Sequence, residues 1–168
     1  MEHNHIILSI HFNHKYQNMA KKEGDYVEGR DLMVYIFETD TYKPQAAATS
    51  HRITYSGETK ERVTKDSSNG AFSNKKVTKL NVTIQCEALT LFGTGNVYEK
   101  LLAIMKSRQP VKLKYGYTEE AGGASSSYEE GMFVITSLEQ SSPADDDATY
   151  SATFENDGNV ETKTGSAG

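Results

Sequence analysis

Apolar residues fall at every second position in several short stretches and at helical spacing in one. The sharpest alternation runs from Lys79 to Leu89. Leu80, Val82, Ile84, Cys86 and Ala88 take one side; Lys79, Asn81, Thr83, Gln85 and Glu87 take the other. A period of two with one apolar and one polar side predicts an antiparallel strand with one face buried and one wet. Val111 to Thr118 alternates in the same way, with Val111, Leu113, Tyr115 and Tyr117 inward and Lys112 and Lys114 outward. Thr49 to Ser56 puts His51, Ile53 and Tyr55 on one face, and Ala148 to Glu155 turns Tyr150, Ala152 and Phe154 inward. Asp31 to Glu38 is instead continuous, β-branched and aromatic, which suits a strand buried on both faces, and Gly131 to Gln140 reads as a long strand containing Met132-Phe133-Val134-Ile135.

The helical spacing lies between Asn96 and Arg108. Val97, Leu101 and Ile104 form one apolar row, and Tyr98, Leu102 and Met105 the next. Asn96 is placed to cap the helix with Glu99 three residues on, Lys106 and Arg108 suit its negative end, and Pro110 stops it. Thr39 to Pro44 reads as a polar turn, and Ser142 to Asp147 as another. Gly57 to Lys76 reads as a long charged loop around the turn signal Ser67-Ser68-Asn69-Gly70, with Val63 and Phe72 its main apolar residues. Glu119 to Ser127 is a Gly/Ala/Ser connection, and the chain from Asn156 is too polar to pack alone. Six or seven strands and one helix predict a mainly β protein: an antiparallel β-sandwich or barrel with one flanking α-helix. The expected organisation is an extension over residues 1–18, either a true arm or a start-site artefact before Met19, one domain over 19–156, and a flexible tail over 157–168.

Composition narrows the function. The 168 residues suffice for one domain with its own core. A net charge of -5 disfavours gripping nucleic acid, which needs a basic surface. One cysteine makes no intrachain disulfide, no apolar run is long enough to span a membrane, and no signal-peptide pattern opens the chain, so folding in the cytoplasm is expected.

Candidate chemistry is sparse. Cys86 falls on the apolar side of its strand, as a small buried hydrophobe would. His3, His5, His11 and His14 have metal-like spacing without a scaffold around them. Asp145, Asp146 and Asp147 lack the alternation and distal Glu of a calcium loop. Gly93-x-Gly95 precedes a helix without a phosphate-binding Lys. No catalytic, cofactor or metal site is expected, and no enzyme. Half-wet strands, long polar connections and loose ends instead suit a subunit completed by its neighbours.

Ordered motifs across residues 28–66 and 77–160 carry a resemblance. They are Glu28-Gly29-Arg30-Asp31-Leu32-Met33-Val34-Tyr35-Ile36, Ala46-Ala47-Ala48-Thr49-Ser50, Ser56-Gly57-Glu58-Thr59 and Thr64-Lys65-Asp66-Ser67. Glu87-Ala88-Leu89, the helix, Gly131 to Leu138 and Ala148 to Phe154 with Gly158 complete the set. In that order they resemble the tail tube (major tail) proteins of long-tailed bacteriophages. The family often has a Trp near residues 72 to 82, and this chain has none.

The resemblance implies a virion protein, assembled in the bacterial host cytoplasm. Six copies would close into rings that stack into a tube for DNA delivery. Its partners would be copies of itself and other tail proteins such as the tape measure and the tail terminator. DNA would pass through without specific binding, and no membrane would be involved. Ring-to-ring contacts would map to the N-terminal arm, Asn156–Gly168 and Gly57–Lys76, with Val63, Lys65, Asp66 and Phe72 as contact residues. The wet face of Lys79, Asn81, Thr83, Gln85 and Glu87 is a candidate for the lumen. Two other readings stand beside this one: an inner-tube subunit of a contractile injection system or tailocin, and a ligand-binding β-sandwich suggested by ten tyrosines.

Overall fold

A computed structural model of the chain describes residues 26–62, 73–118, 127–165 and 167. Its elements in chain order are β1 (Leu32–Glu38), β2 (Thr41–Pro44), β3 (Ala48–Glu61), β4 (Lys75–Leu89), α1 (Val97–Ser107), β5 (Val111–Tyr117), β6 (Ser127–Ser141) and β7 (Thr149–Thr164). The strands form one seven-stranded sheet in the order β2-β1-β5-β6-β7-β4-β3. Every pairing is antiparallel.

The sheet curls until its edges meet. β2 and β3 occupy opposite edges, yet only Gln45, Ala46 and Ala47 separate them in sequence. That link is tied to both sides: Gln45 N–H donates to the Val34 carbonyl at 3.0 Å, and Leu89 N–H donates to the Ala47 carbonyl at 3.0 Å. His51 Nδ1 lies 3.4 Å from the Leu32 carbonyl, so its hydrogen sits on that nitrogen and bridges β3 to β1. The result is barrel-like, with the apolar sides of the strands turned inward.

The alternation places the core. Val34 and Ile36 (β1), Val82, Ile84, Cys86 and Ala88 (β4), Leu113 and Tyr115 (β5), Phe133 (β6), and Ala152 and Phe154 (β7) are buried in one cluster. α1 adds Val97 and Leu101 to it. Asn96 Oδ1 accepts the Glu99 N–H at 3.3 Å, and Arg108 ends the helix with a left-handed φ of 57°. The tyrosine rings of Tyr98 and Tyr150 pack 6.0 Å apart, and Lys100 Nζ reaches Glu38 Oε2 at 2.9 Å, so the helix is fixed against the sheet by both apolar and ionic contacts.

Four segments differ from the sequence expectation. Thr39–Pro44 is not all turn: Thr39 and Asp40 form a two-residue turn with φ of 46° and 66°, and β2 follows. Two successive positive φ values match the twist of a tight hairpin, which neither residue type advertises as Asn-Gly would. Gly57–Lys76 is not all loop: β3 continues to Glu61 and β4 starts at Lys75, paired together. Val63, Lys65, Asp66 and Phe72 lie outside the described residues. The chain from Asn156 continues as strand to Thr164 along β6. β6 itself starts at Ser127 rather than Gly131. In the hairpin, in β6 and in β7, cross-strand hydrogen bonds hold polar residues that have no core to face, and periodicity is blind to them. The N-terminal extension and its four histidines lie outside the described residues.

Candidate functional site: the outer sheet surface and the hairpin arm

With the inner side filled, chemistry is confined to the outer surface, the strand ends and the projections. The outer surface has two characters. Along β3, β4 and β7 it is polar. Lys79, Asn81, Thr83, Gln85 and Glu87 all project outward, flanked across the pairing by Arg52 and Thr54 on β3 and by Ser151, Thr153 and Glu155 on β7. Their neighbours Val82, Ile84, Cys86 and Ala88 are buried, so the five predicted lumen candidates do share one face.

Along β2, β1, β5 and β6 the outer surface is aromatic and cationic. Lys114 Nζ sits over the rings of Tyr42, Tyr35 and Tyr128 at 4.6, 5.1 and 5.3 Å. Lys112 Nζ sits 5.6 Å from the rings of both Phe37 and Tyr42. Glu130 joins these strands: its Oε1 takes Lys112 at 2.8 Å and Lys163 at 2.9 Å, and its Oε2 accepts the Tyr42 hydroxyl at 2.6 Å. Burial alone would raise the Glu130 carboxyl. The hydrogen bonds from Lys112, Lys163 and Tyr42 outweigh it and bring the pKa down to about 2. These contacts are internal to the chain and lock four strands together. No sequence periodicity signals such a cluster, since its members are merely the outward residues of β2, β5, β6 and β7.

A second cluster lies where β3 meets β5 and β6. Glu129 Oε2 accepts from the hydroxyls of Tyr55 at 2.6 Å and Tyr115 at 2.7 Å, and the two hydroxyl oxygens are 2.9 Å apart. Burial first, then the Glu129 hydrogen bond, pushes Tyr55 up to about 12 against a lowering by Tyr115, while burial, Tyr55 and Glu129 all raise Tyr115. Both phenols stay protonated at neutral pH and serve as donors. A cavity of about 280 Å³ opens beside them.

The sheet forks: β3 and β4 stay paired together after β7 leaves β4 and runs on along β6 to Thr164. β7 leaves β4 beyond Glu155, while β3 and β4 run on together to Glu61 and Lys75. This hairpin arm runs about 26 Å past the last β4–β7 pair, at about 3.3 Å per residue. Val77 and Leu80 on it are 54% and 72% exposed, too open for a core role. Asn156 marks the fork. Its Oδ1 accepts the Val82 N–H at 2.8 Å, in place of the next β7 carbonyl, and its Nδ2 donates to the Gly158 carbonyl at 2.8 Å. Gly158, at φ 90°, lets β7 turn aside there. Asn156→Ala should therefore cost about 1–2 kcal/mol through an orphaned buried N–H. Faster amide exchange at Val82, read by NMR, is the expected local sign; unchanged exchange there would refute this role for Asn156.

Cys86 is buried, and burial raises its thiol pKa to about 12, which removes it as a nucleophile at neutral pH. Asp145, Asp146 and Asp147 form an exposed turn, and Gly93–Gly95 a 3₁₀ turn leading into α1. Among the described residues no set of three or more His, Cys, Asp and Glu is grouped to hold a metal ion, and no helix is long and apolar enough to cross a membrane.

Comparison with known proteins places this architecture. A family model described as phage tail tube protein matches residues 26–162. Comparison with curated proteins finds no match. Among solved structures, a chain in the virion of a native gene transfer agent particle superposes with a TM-score of 0.68 at 16% identity, over 83% of this chain and 100% of that one. The SPP1 tail tube does so at 0.64 and 13%, over 85% of this chain and 81% of that one. A chain in the baseplate of the anti-feeding prophage gives 0.58 and 6%, over 85% and 98%. At these identities the likenesses establish a shared fold.

Proposed function

Because this chain belongs to the phage tail tube protein family, we propose that its copies close into six-membered rings that stack into a tail tube for DNA delivery. The observation that carries this reading is the combination of one curled sheet with an arm that leaves its own core. Val77 and Leu80 stand exposed on that arm in the single chain. Exposed apolar residues on a projecting hairpin are satisfied by a neighbour, and in a homo-oligomer the neighbour is another copy. The solved gene transfer agent tail, described with C6 symmetry, gives the ring number its precedent.

The lumen surface is assigned to the polar outer face of β4 with its flanks on β3 and β7. Lys79, Asn81, Thr83, Gln85 and Glu87 offer hydroxyls, amides and balanced charges, with no aromatic ring on which a base could stack. Six copies at a net -5 carry about -30 per ring, a field that discourages DNA from adhering to the wall. The aromatic–lysine face, already consumed by internal contacts, is assigned to the outside. A structural role leaves no step for catalysis, and the buried, protonated Cys86 fits that reading. Tape-measure and terminator proteins are the expected heterologous partners, inside the tube and at its end.

Negative-stain microscopy of concentrated purified protein tests this. Rings or tubes with six-fold end views are expected. A strictly monomeric species at high concentration would refute the proposal.

A further inference from the structure

The two ends of the strands are chemically opposite. At one end stands the hairpin arm. Its described residues beyond Tyr55 include five bases (Lys60, Arg62, Lys75, Lys76, Lys79) against two acids (Glu58, Glu61). At its root lies the cavity of about 280 Å³, lined by Leu32, Ile53, Tyr55, Tyr115, Tyr117 and Tyr128 among others. An apolar cavity of about 150 Å³ is enough to hold benzene, so this one has room for a phenyl ring. Tyr55 borders the space and is more than half exposed, Tyr115 closes it from the core side against Phe133, and Glu129 holds both hydroxyls at its rim.

The other end is reached along β4, about 45 Å away at strand rise. There Phe92 is wholly exposed, next to the partly exposed Leu91. Among the described residues nothing covers that ring. Beside it, Asp145, Asp146 and Asp147 form an exposed turn, and no basic residue occurs from Glu139 to Thr149. The two features are tied together, since Thr90 N–H donates to the Ala148 carbonyl at 2.7 Å. Glu87 and Glu139 border a second cavity of about 260 Å³ on the same flank.

A knob and a hole at opposite ends of one molecule, with opposite charge beside each, make a head-to-tail contact between copies. We propose that Phe92 of one copy enters the cavity at the root of the next copy's arm, with Asp145–Asp147 facing Lys75 and Lys76, and that this contact stacks one ring on the next. The arm then lies along the neighbour's flank, within reach of Glu139. This rests on the tube-subunit reading and names the face on which the arm seats.

The test uses the full-length protein and compares assemblies by negative-stain microscopy and sedimentation. Phe92→Asp, the combined Asp145→Lys, Asp146→Lys, Asp147→Lys variant and the combined Lys75→Glu, Lys76→Glu variant should each shorten tubes at least tenfold and accumulate single rings. Joining both charge-reversed sets in one chain should restore tube length. Circular dichroism and thermal melting establish that each variant is folded. Wild-type-length tubes from all three variants, or no restoration in the combined one, overturn the contact and leave the tube reading intact. A folded variant that fails to close rings moves the contact into the ring and overturns its stacking role. A wild-type protein that never assembles overturns both.

Discussion

Phe133→Ala should remove about 3–5 kcal/mol of folding stability, the range for truncating a fully buried aromatic. Phe133 has no exposed surface and sits midway along β6, where it meets Val111 of β5 on one side and Asn156 of β7 on the other. Its ring packs edge-on against Tyr115 at 6.3 Å between centroids. The cavity left behind would border β5, β6 and β7 at once, and strands paired on both sides cannot easily collapse into it. Domains of this size have about 5–15 kcal/mol to lose, so the variant should be unfolded or nearly so at 37 °C. Chemical denaturation monitored by circular dichroism measures the loss. A cost under about 1 kcal/mol would mean that the core closes around the gap and that Phe133 is not its centre. Phe133→Leu keeps most of the volume and should cost well under half as much.

How much of this was legible in the sequence depends on whether a residue faces a core. Lys79–Leu89, Val111–Thr118 and the helix bounded by Asn96 and Arg108 are readable because burial enforces their period, and the structure forms these elements there; Leu80 and Tyr117, expected on the buried faces, stand exposed at the ends of their strands, where the core has run out. The arm and the second half of β7 look like loop and tail in the sequence because most of their residues are polar; pairing of β3 with β4 and of β7 with β6 holds them instead, with Val160 packed on the core. The β1–β2 turn was hidden by its residues, since Thr39 is an unusual choice for a positive φ. Of the candidate surfaces, the five residues proposed for the lumen were visible as the polar half of an alternation. The Glu130 and Glu129 clusters were not. Their members come from three or four strands and meet only through register, which no single-strand pattern encodes. The fork at Asn156 was equally silent, because one side-chain amide replacing a strand carbonyl leaves no trace in composition.

Glu130 gives the sharpest pH dependence to expect. Its carboxyl is 11% exposed and is held at about 2 against the usual 4.5, despite burial, by Lys112, Lys163 and Tyr42. A carboxyl whose folded pKa is depressed adds stability that is fully present above its unfolded pKa and is lost as pH falls towards the folded one. The window is therefore pH 4.5 down to about 2. The shift itself would correspond to about 3 kcal/mol. Lys112 and Lys163 are 39% and 40% exposed, so solvent and salt screening lower the expectation to about 1–2 kcal/mol. Glu130→Gln should lose that amount at pH 7, because Gln can still accept from Tyr42 but cannot pair with two ammonium groups. At pH 2.5 the wild type has itself lost most of the charge advantage, and the two proteins should converge. Urea denaturation of both at pH 7 and pH 2.5, at low and high salt, resolves the difference. A gap that persists undiminished at pH 2.5 would assign the effect to packing and remove the ionic role of Glu130. A gap that closes with acid and narrows with salt would make Glu130 the electrostatic tie between β2, β5 and β7. On this argument, acid should loosen the aromatic–lysine face through Glu130, the carboxylate on which Lys112, Lys163 and Tyr42 converge.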